Sequence, residues 1–270
     1  MSSQPAVRVA DVVAALERRY PPELAADWDA VGLVVGAPSA KAEHVYFTVD
    51  VTESTVADAV SLGADVIVAH HPLLFRPVTS IAQTTDRGRL IATLIGQGLA
   101  LFTAHTNADH ARPGVSDALA KALGLGDTVP IEPVPAGQDQ TGTGRVGRLA
   151  TPMTVAEVAE LAGATLGRTV RVAGDPQQLV RTLAVCGGAG DSLLAAVKES
   201  GADAYLTADL RHHVVLDFLA DGGCPVIDAG HYATEAPWLA QAATLLQADL
   251  HGAVKVTVSS VVTDPWTLNP

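Results

Sequence analysis

The chain has 270 residues, of which 48% are hydrophobic and 17% charged, a balance that excludes a disordered, collagenous or coiled-coil protein and leaves one large domain or two small ones. Lys and Arg number 17 against 29 Asp and Glu, a net charge of −12, and the arginine clusters Arg18-Arg19, Arg87-Arg89 and Arg145-Arg148 are too scattered to bind nucleic acid. Cys186 and Cys224 lack C-x-x-C spacing, no run reaches the roughly 18 apolar residues of a membrane span, and the first residues carry no leader pattern, so we expect a cytoplasmic protein with no nucleic-acid or membrane partner.

Short β-branched runs alternate with Ala/Leu-rich helical stretches, the pattern of an α/β fold. Val45 to Val49 predicts a strand. Thr52 predicts a helix cap, with Val56, Ala59 and Val60 on the covered face, and Asp65 to Ala69 the next strand. Leu90 to Ile95 reads as helix and Leu99 to Thr103 as strand. Val129 to Gly147, rich in proline and glycine, lacks periodicity and is expected to be a loop or domain boundary. Beyond it, Thr154 and Glu157 form a capping box for a helix through Leu166, and Val170 to Val172 and Leu183 to Cys186 read as strands.

An internal repeat accompanies this pattern. EHVYFTVDVTESTVADAVSLGADVIVAHH and RTLAVCGGAGDSLLAAVKESGADAYLTAD share the order strand, cap, helix, Gly-Ala-Asp, strand, polar end, so Gly63-Ala64-Asp65 returns as Gly201-Ala202-Asp203. The repeat predicts two similar α/β lobes.

Histidine placement is the strongest chemical signal. The apolar run Val66-Ile67-Val68-Ala69 leads directly into His70-His71-Pro72, at the strand end where open α/β sheets hold their ligands. Two more strands lead into His105-Thr106-Asn107-Ala108-Asp109 and into Asp228-Ala229-Gly230-His231-Tyr232-Ala233-Thr234-Glu235. Histidine and carboxylate without thiolate suit Zn, Mn, Fe or Co, and more than four ligands leave room for two ions bridged by Glu235 or Asp109.

Other patterns are weaker. Gly142-Thr143-Gly144-Arg145-Val146-Gly147 matches G-x-G-x-x-G but follows no predicted strand and opens no helix, so it is no dinucleotide site. The turn holding Gly187, Gly188 and Gly190 either presents free backbone N–H groups to an anion or is a tight strand-to-helix turn capped by Asp191. Asp209 and His212-His213 either face the same cavity as the other histidines or mark a helix start with Asp209 as its cap. Side-chain nucleophilic catalysis has no motif in its favour.

His70-His71-Pro72-Leu73-Leu74-Phe75, Trp28-Asp29-Ala30-Val31-Gly32-Leu33, His105-Thr106-Asn107-Ala108-Asp109, Thr207-Ala208-Asp209 with His212-His213, and Gly230-His231-Tyr232-Ala233-Thr234-Glu235 occur in that order. Together they resemble the family named for NGG-one-interacting factor three, whose bacterial members are called type 2 GTP cyclohydrolase I homologs. Ala30 stands where Asn is usual, Ala208 where Gly is usual, and His110 where a small residue is common.

The resemblance implies two intertwined α/β lobes with mixed sheets, for which we take residues 1–127 with 228–270 as the first and 128–227 as the inserted second. It implies two divalent ions per chain (Zn, Fe, Mn or Co) held by His70, His71, Asp109, His231 and Glu235. His105 is then expected behind the ligands, orienting Asp109 or a water, with Asp209 and His213 in the cavity. It further implies a ring-shaped homohexamer. The activity expected is metal-assisted hydrolysis of a nucleotide such as GTP, with a metal-bound water as the reacting group and Glu235 as the side chain nearest to a catalytic role. The other expectation is a non-enzymatic metal-binding assembly, chaperone or regulatory protein.

Overall fold

The computed structural model describes residues 6–134 and 140–267, and three of the five strands of its first sheet are the β-branched runs that the sequence marks as strands. Two compact units divide the chain, Met1–Ala108 with Leu239–Thr263 and Asp109–Trp238 with Asp264–Pro270.

In the first unit the strand order is Gly32–Val35, Ala100–Thr103, Val66–Ala69, His44–Thr48, Lys255–Val258. The last four are mutually parallel, and parallel neighbours require crossovers, which the helices Glu53–Ser61 and Asp86–Gly96 supply. Thr52 caps the first of these helices, as expected. Its Val56 and Ala59 pack with Tyr46, Ile67, Leu94 and Leu101.

Register decides where chemistry can gather in this unit. Thr48 pairs with Ala69 and Ala69 with Thr103, so three parallel strands end level with one another. Asp50, His70, His71 and His105 follow those ends within two residues. Gly32–Val35 runs antiparallel, with Gly32 opposite Thr103, so the residues just before it arrive at the same end of the sheet.

In the second unit the order is Leu125–Val129, Arg145–Thr154, Leu179–Ala189, Ala204–Ala208, Val226–Asp228, Arg171–Ala173. The sheet is mixed: Ala204–Ala208 is parallel to both neighbours and the remaining pairs are antiparallel. Leu183, Val185 and Leu206 pack in one apolar cluster, and Ala184, Cys186 and Tyr205 in another. Successive strand residues face opposite sides, so helices cover both faces.

The repeated Gly-Ala-Asp performs one task in both units. Gly63 (φ 68°) and Gly201 (φ 71°) take the left-handed conformation after their helices. Asp65 Oδ2 then accepts from the N–H groups of Glu43 and His44, and Asp203 Oδ2 from those of Arg181 and Thr182. Each aspartate thereby aligns the start of the neighbouring strand.

Three expectations are corrected. Within Val129–Gly147, Glu132–Pro133 pairs with Gly142–Thr143, and Leu125–Val129 pairs with Arg145–Thr154; residues 135–139 of that segment lie outside the described residues. The described end of the segment is held by Arg145, whose fully buried guanidinium binds Asp117 and donates to the carbonyls of Ala111, Gly142 and Gly144. The strand expected to end at Cys186 runs on through both glycines to Ala189, because Ala189 pairs with Ala208. The helix after Asp209 has Arg211, not Asp209, at its cap position.

Candidate metal centre

In the first unit the strand ends bring three imidazoles together. His70 and His71 follow Ala69 directly, and His105 follows Thr103 by two residues. Their ring centroids are 5.0, 5.3 and 5.6 Å apart, and one ring nitrogen from each lies within 4.8 Å of the others.

The other nitrogen of each ring is committed. His70 Nδ1 is 2.8 Å from the Ala104 carbonyl oxygen, His71 Nδ1 is 2.8 Å from Asp50 Oδ1, and His105 Nδ1 is 2.8 Å from Asp29 Oδ1. A carbonyl or carboxylate oxygen only accepts, so Nδ1 carries the proton and Nε2 the lone pair. This is how metal-ligating histidines are normally held, with one nitrogen anchored and the other presented.

The carboxylates doing the anchoring are themselves fixed. The Asp29 side chain is fully covered and also accepts from the N–H and hydroxyl of Thr106. Burial pushes its pKa up, yet the hydrogen bonds from His105 and Thr106 outweigh that and hold it well below the usual carboxylate range. Asp50 accepts from the hydroxyl of Thr263 on its other oxygen.

The second unit supplies histidine and carboxylate. His231 and Glu235 stand one turn apart at the start of the helix His231–Asp249, with His231 Nε2 3.1 Å from Glu235 Oε1. His231 Nδ1 is 2.7 Å from Oδ2 of Asp209, a residue at φ 56° in the left-handed region that Asp tolerates better than most. Asp209 is thus the anchor of His231. Glu235 is almost wholly buried. Gly188, at φ 70°, leaves it room: a Cβ there would lie 2.4 Å from Glu235 Oε1 and 3.2 Å from His231 Nε2.

That cradle changes the reading of the glycine run. The N–H groups of Gly187, Gly188 and Gly190 donate to Ser116 Oγ, Thr234 Oγ1 and the Ala208 carbonyl, so they are spent inside the protein and do not form an anion nest. The glycines make space for side chains instead. Asp191, proposed as a cap, instead binds Arg211 through its carboxylate.

Placement of the remaining expected residues is mixed. Asp109 is half-buried in the short helix Thr106–His110. His105, expected behind Asp109, is held by Asp29, and a ring nitrogen of it lies within 4.8 Å of those of His70 and His71. His213 is exposed in the first turn of the helix His212–Ala220, its ring 5.1 Å from that of His212. Asp29 appears in the sequence only within a motif, and Asp50 in none; the signal for Asp50 is its place just past a strand parallel to the one that delivers His71.

In each unit the donor set fits a metal: imidazoles whose Nδ1 faces an oxygen acceptor in the first, and a histidine beside a buried carboxylate given room by a glycine in the second. A family model described as Duf34/NIF3 (NGG1p interacting factor 3) matches residues 7–265. The chain belongs to the Duf34/NIF3 family. A Streptomyces coelicolor protein named GTP cyclohydrolase 1 type 2 homolog is 49% identical to this Duf34/NIF3 chain over 267 residues, covering 96% of this chain and 94% of that one. NIF3-like protein 1 of Drosophila melanogaster is 32% identical over 263 residues, 96% of this chain and 88% of that one. The crystal structure of a Bacillus cereus protein related to NIF3 matches with a TM-score of 0.92 at 26% identity, over 98% of this chain and all of the other. Among the described residues no helix is long and apolar enough to cross a membrane.

Proposed function

We propose that the chain is a metal-dependent hydrolase acting on a nucleotide, with two divalent ions (Zn, Fe, Mn or Co) held by His70, His71, Asp109, His231 and Glu235. The observation that supports this reading most is that Nδ1 of His70 and of His71 faces an oxygen acceptor, the arrangement in which Nε2 can ligate, while His231 Nε2 lies beside Glu235 Oε1. Imidazole and carboxylate without thiolate form the donor set of hydrolytic metal sites, in contrast to thiolate-rich structural zinc. Ions held there supply an activated water and polarise a substrate oxygen.

The protein's own groups do the rest. Asp50 and Asp209 keep His71 and His231 in the ligating tautomer, and Asp29 fixes His105 so that its Nε2 can accept a proton beside His70 and His71. Glu235, almost wholly buried, would as a carboxylate offset the repulsion between two cations held there. The name of the Streptomyces relative supports a nucleotide as the substrate. The family resemblance supports a homohexamer, and we place it in the cytoplasm.

The test is release of formate from GTP, run beside a panel of other nucleotides and phosphoesters, by protein reconstituted with each of the four metals. The reading expects turnover that disappears with a chelator and returns with metal. Full metal occupancy with no turnover of any nucleotide would make the protein a non-enzymatic metal binder.

A further inference from the structure

Trp28 is 61% exposed, an unusual position for the side chain with most to gain from burial. It is nonetheless well placed. Its neighbour Asp29 is bound by His105 and Thr106 and accepts from the N–H of Ala30, while the Ala26 N–H donates to Thr106 Oγ1, so the backbone on both sides of Trp28 is tied to the histidine cluster. The indole touches Phe75 at a centroid distance of 5.7 Å and His105 at 6.2 Å. Both contacts are steeply inclined, at 61° and 73°, so neither neighbour lies flat on the indole. Phe75 is itself 40% exposed and reaches His105 at 6.5 Å.

We propose that Trp28, braced by Phe75, is a stacking platform for the planar ring of the substrate, and that the substrate class is a nitrogen heteroaromatic of nucleobase type. A flat π-face accepts any aromatic ring and favours it over sugars and aliphatic chains, because only another planar π-system matches both its area and its quadrupole. The adjoining imidazoles set the other half of the specificity: a ring laid on the indole has an edge beside His105, where polar ring atoms find partners and hydrocarbon edges do not. The inference rests on the hydrolase reading for what happens to the substrate, but stacking itself requires no turnover.

Binding of guanosine, adenosine and uridine to the metal-loaded full chain, with ribose as the control that lacks an aromatic ring, tests it by calorimetry and tryptophan fluorescence. Trp28→Leu removes the π-face and Trp28→Phe retains one. We expect at least one nucleoside to bind saturably and ribose not to bind. Trp28→Leu should weaken nucleoside binding about fivefold or more, and Trp28→Phe should recover most of it. Metal content should stay unchanged in both variants. Absence of nucleoside binding, or binding undiminished in Trp28→Leu, overturns the platform; so does a Trp28→Leu variant whose only change is a smaller oligomer, which would mean that Trp28 packs against a second copy. Trp28-dependent nucleoside binding without turnover of any nucleotide would overturn the hydrolase and leave the platform, whereas nucleotide turnover with an unchanged KM in Trp28→Leu would do the reverse.

Discussion

His71 Nδ1 lies 2.8 Å from Asp50 Oδ1, so a carboxylate just past one strand sets the tautomer of a histidine just past the parallel strand beside it. An anchoring carboxylate of this kind commonly accounts for 10- to 100-fold in metal affinity. Asp50→Asn keeps an acceptor of the same size and removes the charge. We predict about a tenfold loss of metal affinity, measured by competitive titration with a chromophoric chelator, with the melting temperature of the metal-free protein nearly unchanged. Unchanged affinity would make Asp50 a solvated surface group.

Gly188 is predicted to be intolerant of a methyl group. A Cβ would sit 2.4 Å from Glu235 Oε1 on a backbone at φ 70°, so Gly188→Ala meets both a clash and left-handed strain. We expect a loss of about 1–3 kcal/mol in denaturant unfolding together with a fall in bound metal. Stability lost without metal loss would confine the role of Gly188 to the backbone.

Arg145 is the clasp of the second unit. It is fully buried, and its removal takes the guanidinium from three carbonyl oxygens and leaves Asp117 with the Gly114 N–H and the more distant Arg112. Breaking such a buried pair from one side costs about 3–5 kcal/mol. Arg145→Met should therefore unfold at markedly lower denaturant concentration, and a double variant with Asp117→Leu should recover part of the loss. A single variant within about 0.5 kcal/mol of the parent would refute the clasp.

Burial pushes the Cys186 thiol up to about 12 and the Cys224 thiol up to about 11. Raised values mean that almost no thiolate exists at pH 8 in the folded state, and thiolate is the reactive form. Iodoacetamide at pH 8 should label neither cysteine in the native protein and both in denaturant, as read by mass spectrometry. Rapid native labelling of Cys186 would contradict its place in the apolar cluster with Tyr205 and Leu194.

The histidines were legible because β-branched runs ending in polar residues are local patterns, and parallel pairing then levels their ends. Their anchors were harder to see. Asp29 reaches His105 only because Gly32–Val35 joins the sheet antiparallel with Gly32 opposite Thr103, a pairing that no local periodicity encodes. Asp209 depends on a left-handed φ that its neighbours do not announce. The glycine run read as a turn because glycine favours turns; tertiary pairing of Ala189 with Ala208 kept it extended, and the missing side chains became space for Glu235. At the two described ends of Val129–Gly147 the composition suggests a loop, yet Glu132–Pro133 pairs with Gly142–Thr143 beside the buried Arg145.

The account rests on a metal centre, and metal content tests it most directly. Protein reconstituted with Zn, Mn, Fe or Co and freed of excess ion would be measured by elemental analysis, beside Glu235→Gln, which keeps the side chain's size and removes its charge. We predict about two ions per chain in the parent, and at least one lost in Glu235→Gln with the fold retained by circular dichroism. A parent that holds no ion, or a Glu235→Gln variant at full occupancy, would contradict it.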